Sequence, residues 1–239
     1  MSFTRLERLF VVIIPKINFP IYGIIIILSV LVGIIYVFYN LKKDGYKNKQ
    51  LLLFFAMYSM FAIVFGKMYT VLMYGRGNII TAGLSSYGGL FGVVIASIIF
   101  ERIISTDKSV IKYTILSLPL TYGLTKIACS IVGCCSGIPY EGIFKVKYLG
   151  EMNIWQFPVQ MAEVIVFIIL FIILLRFKDK KYINYITLFL VCLFKFLLDF
   201  LRYDHVKEII TRNQIFSIVV IVTVIVLFII EYKKKTRIL

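Results

Sequence analysis

Long apolar runs broken by short clusters of charge repeat along the whole chain. Seven approach the length that about 30 Å of hydrocarbon demands of a helix. They lie at roughly 20–39, 51–69, 83–100, 111–132, 158–176, 182–201 and 214–231. No alternating ten-residue segments of the kind that build a membrane barrel occur. The pattern therefore predicts an all-α, polytopic integral membrane protein with seven transmembrane helices. No repeat, linker or low-complexity stretch divides the chain, so residues 1–239 read as one domain. Phe3–Ile14 is too short to span and is expected as an interfacial lead-in closed by Pro15 and Pro20. Met1–Pro15 lacks the small-residue cleavage site of a signal peptide, so none is expected.

Composition agrees with the pattern. At 61% hydrophobic residues, the chain exceeds the apolar share of a soluble domain. A formal charge of +15 would suggest nucleic acid in a soluble protein. Here the cations sit between apolar spans, where they set orientation and meet anionic headgroups. No nucleic-acid partner is expected. Lys42, Lys43, Lys47, Lys49, Arg102, Lys108, Lys112, Arg176, Lys178, Lys180, Lys181, Lys233, Lys234, Lys235 and Arg237 fall on one side of the predicted topology. The other side carries ten cations in longer segments. The positive-inside rule then places the N-terminus outside and the C-terminus in the cytoplasm. The loop at 133–157 and Arg202–Arg212 share the external face.

Several polar residues lie inside the spans. A lysine there costs about 2.5–3.5 kcal/mol even on the mild insertion scale, so Lys126 calls for a partner, a wet cavity or an anionic substrate. Cys192, Lys195, Asp199 and Arg202 are spaced three, four and three apart and form one helical stripe. Lys195 and Asp199 are expected to pair at i,i+4. A pair that only fixes helix packing explains these two equally well. Continuation of the stripe to Arg202 at the outer interface suits a phospholipid headgroup. Gln160 and Glu163 share a face one turn inside the fifth span, and a carboxylate at that depth must pair, ionise into water or stay protonated. Trp155 reads as an interfacial anchor.

The glycines of 82–92 suit close helix packing, but Tyr87 places a phenol among them. Tyr22 reads as an interfacial aromatic. Cys129, Cys134 and Cys135, spaced five and one apart, match no common zinc pattern, and neither a metal nor a cofactor is expected. The adjacent pair could form a vicinal disulfide, act as small buried residues, or present a thiolate near Lys126. His205, the single histidine, is expected at the surface.

Six stretches in this order resemble the prolipoprotein diacylglyceryl transferase family. They are Pro-Ile-Tyr-Gly (20–23), Gly-Leu-Ser-Ser-Tyr-Gly-Gly-Leu-Phe-Gly (83–92), Lys-Ile-Ala-Cys-Ser-Ile-Val-Gly-Cys-Cys-Ser-Gly (126–137), Pro-Val-Gln-Met-Ala-Glu (158–163), Lys-Phe-Leu-Leu-Asp-Phe-Leu-Arg (195–202) and Asn-Gln-Ile-Phe-Ser-Ile (213–218). The resemblance implies a bacterial plasma-membrane transferase of lipoprotein biosynthesis. Members move diacylglyceryl from phosphatidylglycerol to the lipobox cysteine thiol of a secreted preprotein, and glycerol-1-phosphate leaves. It implies catalytic roles for Tyr87, Lys126, Glu163, Lys195, Asp199 and Arg202. Substrate contacts would come from Tyr22, Gly88, Gly89, Cys129, Gly133, Cys134, Cys135, Gly137 and Gln160. Tyr87 stands where the family usually has histidine, Lys126 and Lys195 where it has arginine, and Asp199 where it has glutamate. Cys129 stands for the family's asparagine and Cys134 for its acid, which marks a Gly-Cys-Cys-x-Gly branch. A relative acting on another lipid or acceptor, or a lipid-binding or lipid-moving protein without catalysis, are the rival readings.

Overall fold

A computed structural model describes residues 12–14, 19–75, 78–104, 109–149 and 154–236. They form seven α-helices: α1 (Phe19–Lys43), α2 (Asn48–Tyr74), α3 (Ser86–Ile104), α4 (Val110–Val132), α5 (Val159–Arg176), α6 (Ile183–Asp199) and α7 (Arg212–Thr236). Six are long and apolar enough to cross a membrane, and the chain is a polytopic membrane protein. The remaining one, α6, has 17 residues, about 26 Å at 1.5 Å per residue, and carries Lys195 and Asp199. Helices α1, α2 and α7 overrun the predicted spans at both ends. Apolar runs mark the hydrocarbon crossing, whereas backbone hydrogen bonding continues into the headgroup zone.

Local chemistry sets several ends. Ser109 Oγ caps α4 by accepting from the Lys112 amide at 3.2 Å, as serine does at helix starts. Gly75 (φ 60°) and Gly133 (φ 80°) close α2 and α4 in the left-handed conformation. The α2–α3 contact explains the glycine run. A Cβ at Gly88 would lie 2.2 Å from the Phe65 carbonyl oxygen, and one at Gly92 2.3 Å from that of Phe61. Both glycines are therefore taken up by backbone contact between helices. At Gly89 the nearest atom would be 3.6 Å away, an ordinary contact.

Helix α4 is the axle of the bundle. Its span is 67% buried within the protein against 11% for α7, and it packs on α1, α3, α5 and α6. It also contributes to both apolar clusters, with Leu118 beside Phe54, Tyr58 and Phe100, and Leu116 and Tyr122 beside Phe167 and Leu170. A polar group placed on α4 is thus surrounded by other helices.

The segment after α4 folds back over one end of the bundle. β2 (Val146–Tyr148) pairs in parallel with β1 (Val12–Ile14), in the register Val12 to Val146. The end of the expected interfacial lead-in is therefore a strand, and residues 3–11 lie outside the described residues. Gly137 bridges to Arg202 and Pro139 to Gln156. The Tyr203 amide donates to the Ser136 carbonyl at 2.9 Å. The cysteine turn is thereby fixed to the end of α6, and Cys135 at its tip is exposed. With the loop charges read as above, an impermeant maleimide should label Cys135 in intact, mildly reduced cells. Labelling that requires opened membranes would reverse the orientation.

Candidate active site

Four buried charged residues, Lys126, Glu163, Lys195 and Asp199, converge with the largely buried Arg202 where α4, α5, α6 and α7 meet. Glu163, on α5, is the hub. Its Oε2 lies 3.0 Å from Lys126 Nζ, and its Oε1 accepts from Arg202 Nη2 and from Tyr122 Oη, each at 2.7 Å. Tyr122 and Lys126 are four residues apart, so α4 presents both on one face. Arg202 follows α6 and reaches back with Nε to Asp199 Oδ1 at 3.2 Å. The second oxygen of Asp199 accepts from Thr211 Oγ1. Thr211 also begins α7, where its hydroxyl accepts from the Gln214 amide at 3.2 Å and Gln214 Oε1 accepts from the Thr211 amide at 3.0 Å. This reciprocal pair is the capping box of a Thr-x-x-Gln sequence.

Lys195 differs from the other two cations. Its Nζ is 3.7 Å from the ring centroids of both Tyr87 and Tyr122. It is buried and has no hydrogen-bond partner among the described residues. The expected Lys195–Asp199 pair does not form, because Asp199 is engaged by Arg202 and Thr211 while Lys195 turns into the aromatic slot. Attraction to the two ring faces offsets part of its desolvation. Tyr87 is buried, shares a 3.1 Å hydrogen bond with Ser217 Oγ, and stacks on Tyr69. Three basic side chains and two acids meet in the cluster.

Of the remaining residues singled out in the sequence, Gln160 donates from Nε2 to the Cys134 carbonyl at 2.8 Å. Tyr22 lies within electrostatic reach of Lys126 and the three cysteines. Gly133 closes α4 against the Tyr148 ring, and Gly137 abuts the Phe157 carbonyl. Gly88 faces α2 and not the cluster. The cysteines are free thiols and no vicinal disulfide joins Cys134 to Cys135. Their sulfurs nevertheless gather with that of Cys129, all within 4.8 Å of one another. At this turn, the adjoining Cys129 and Cys134 thiols, aided by Lys126 and Arg202, lower the Cys135 thiol below its ordinary range.

Tyr122, Thr211 and Ser217 are missing from the residues read as functional in the sequence. Tyr122 stands one turn before Lys126, and the capping-box spacing at 211–214 was visible. His205 was expected at the surface. Instead its ring packs on Phe200 at 4.9 Å, with Nε2 3.9 Å from Asp199 Oδ2.

The family model for prolipoprotein diacylglyceryl transferase matches residues 9–230, from before β1 to the last turns of α7. Among curated proteins none matches the chain.

Glu163→Gln strands Lys126 and Arg202 without their shared carboxylate, which should cost about 3–5 kcal/mol. Lys195→Met removes a group that no acid among the described residues neutralises and should cost less. In thermal-unfolding cycles, Lys126→Met and Glu163→Gln should be strongly coupled. Lys195→Met and Asp199→Asn should be close to additive. The reverse pattern would overturn these pairings.

Proposed function

We propose a lipid-transfer function from the premise that this chain belongs to the prolipoprotein diacylglyceryl transferase family, a family of transferases. In this reading it moves diacylglyceryl from phosphatidylglycerol to the lipobox cysteine of a secreted preprotein at the outer leaflet of the plasma membrane. The supporting observation is the unbalanced buried charge. Lys126 and Arg202 are held by Glu163, and Arg202 also by Asp199, whereas Lys195 has no ion-pair partner among the described residues. A cation kept dry without an anion is suited to a ligand that brings one, and the headgroup phosphate is such a ligand.

The distances support the following roles. Lys195 meets the phosphate, with Arg202 and Lys126 adding positive potential from positions that Glu163 and Asp199 hold fixed. The acceptor thiol gives its proton to water, and the thiolate attacks the glycerol carbon and forms a C–S bond. The C–O bond to phosphate breaks, its electron pair leaves on the phosphate oxygen, and glycerol-1-phosphate departs. Charge thus grows on the leaving phosphate in the transition state, where preorganised cations are worth most. Tyr87 supports Lys195 from its ring face and offers the hydroxyl it shares with Ser217 to a leaving or carbonyl oxygen. Gln160 and Tyr22 border the turn where the acceptor would enter.

Expression in a strain depleted of its own diacylglyceryl transferase tests this reading, with lipoprotein mass as the readout. The chain should restore the diacylglyceryl mass increment, and Lys195→Met should lower the rate about 10²-fold or more, the scale of a lost transition-state contact. An unmodified lipoprotein alongside well-folded, abundant protein would contradict the function.

A further inference from the structure

The charge cluster makes no use of the three thiols beside it. Gly133 (φ 80°) and Cys135 (φ 61°) both adopt the left-handed conformation. These two reversals curl the chain after α4 so that Cys134 and Cys135 turn back onto Cys129. Side-chain-bearing residues avoid this region unless their surroundings enforce it. Here the Gln160 bond to the Cys134 carbonyl, the Gln156 Oε1 contact with the Gly137 amide at 2.8 Å, and the Tyr148 ring on Gly133 hold the turn. The Oε1 of Gln160 is itself buried with no hydrogen-bond partner among the described residues.

Three thiols cannot all pair as disulfides, but three thiolates can share an ion. Tetrahedral zinc with Zn–S near 2.3 Å sets its sulfurs roughly 3.8 Å apart. The sulfurs of Cys129, Cys134 and Cys135 already lie within 4.8 Å of one another, so closing on an ion takes about 1 Å of movement. Soft sulfur donors select thiophilic metals over magnesium or calcium. Cys129 is buried and Cys135 exposed, which leaves the ion anchored on the protein side and open on the other. Three protein ligands with an open fourth position are the pattern of a reactive zinc centre rather than a closed structural one.

We propose that Cys129, Cys134 and Cys135 bind one thiophilic divalent cation of the zinc class through three thiolates, and that its fourth position takes the acceptor thiol. The second half rests on the transferase reading. Each thiol that joins the ion gives its proton to water, and the metal holds the acceptor sulfur as thiolate. That sulfur then forms the C–S bond as the C–O bond to phosphate breaks. The arrangement supplies a need the acids do not meet, since Glu163 and Asp199 are both engaged by cations. The turn also adjoins the phosphate side, because Gly137 bridges to Arg202.

Cobalt(II) tests the site in full-length protein purified in detergent, reduced and stripped of metal. One equivalent should bind with a thiolate-to-cobalt absorption band. Cys134→Ser and Cys135→Ser should each weaken binding at least tenfold, and Cys192→Ser should leave it unchanged. Cys135 is exposed, so Cys135→Ser is the variant least exposed to folding failure, and gel filtration checks it. No band in the parent, or an equal band in both turn variants, overturns the site. Adding a lipobox-cysteine peptide should shift the band, and an unshifted band overturns the acceptor role. Transfer from phosphatidylglycerol should fall on metal removal and return with zinc. Equal transfer with and without metal sinks the metal's part and leaves the transferase reading standing. A normal cobalt site with no transfer in any metal state sinks the transferase reading alone.

Discussion

The Glu163 carboxylate binds groups from two other parts of the chain within an apolar bundle: Tyr122 and Lys126 of α4, and Arg202 beyond α6. Burying one carboxylate alone would cost several kcal/mol, and so would either cation. Together they satisfy one another, and the geometry has to be good for that to hold. The constraint propagates outward. Arg202 is also anchored by Asp199, Asp199 by Thr211, and Thr211 starts α7. Moving Glu163 would disturb the meeting of four helices.

The same arrangement separates two kinds of cation. Lys126 and Arg202 are compensated, so they contribute position as well as charge. Lys195 is held by quadrupoles rather than by an acid, between the Tyr87 and Tyr122 rings. Ring faces stabilise a cation by roughly 0.5–2 kcal/mol, less than a buried carboxylate would. Lys195 thus keeps most of its demand for an anion. Lys195 is enclosed by the two rings, so a phosphate reaches it only if Tyr87 or Tyr122 gives way, while Lys126 and Arg202 stay fixed by Glu163.

The helices were legible because apolar runs of near-bilayer length admit few other structures. The sequence also marks Lys126 and Glu163 as polar residues inside spans and Arg202 as lying at the outer interface. It could not assign partners between helices. The Lys195–Asp199 expectation used one helix only, whereas the competing rings come from α3 and α4 and the competing cation from beyond the helix end. Of the partner, wet cavity or anionic substrate that Lys126 called for, the structure supplies the partner, Glu163, which also binds Arg202. At the cysteine turn, a spacing of five and one hides the proximity of the thiols. Only the two left-handed residues at 133 and 135 create it, and side-chain-bearing Cys135 gives no sequence cue for that conformation.

If Glu163 neutralises Lys126 and Arg202 and leaves Lys195 for the phosphate of an anionic lipid, lipid preference should depend on Lys195. Native mass spectrometry of purified protein, titrated with phosphatidylglycerol against phosphatidylethanolamine, tests it most directly. The parent should prefer phosphatidylglycerol severalfold. Lys195→Met should lose that preference while its melting temperature stays near the parent's. An unchanged preference in Lys195→Met, or none in the parent, would contradict the account.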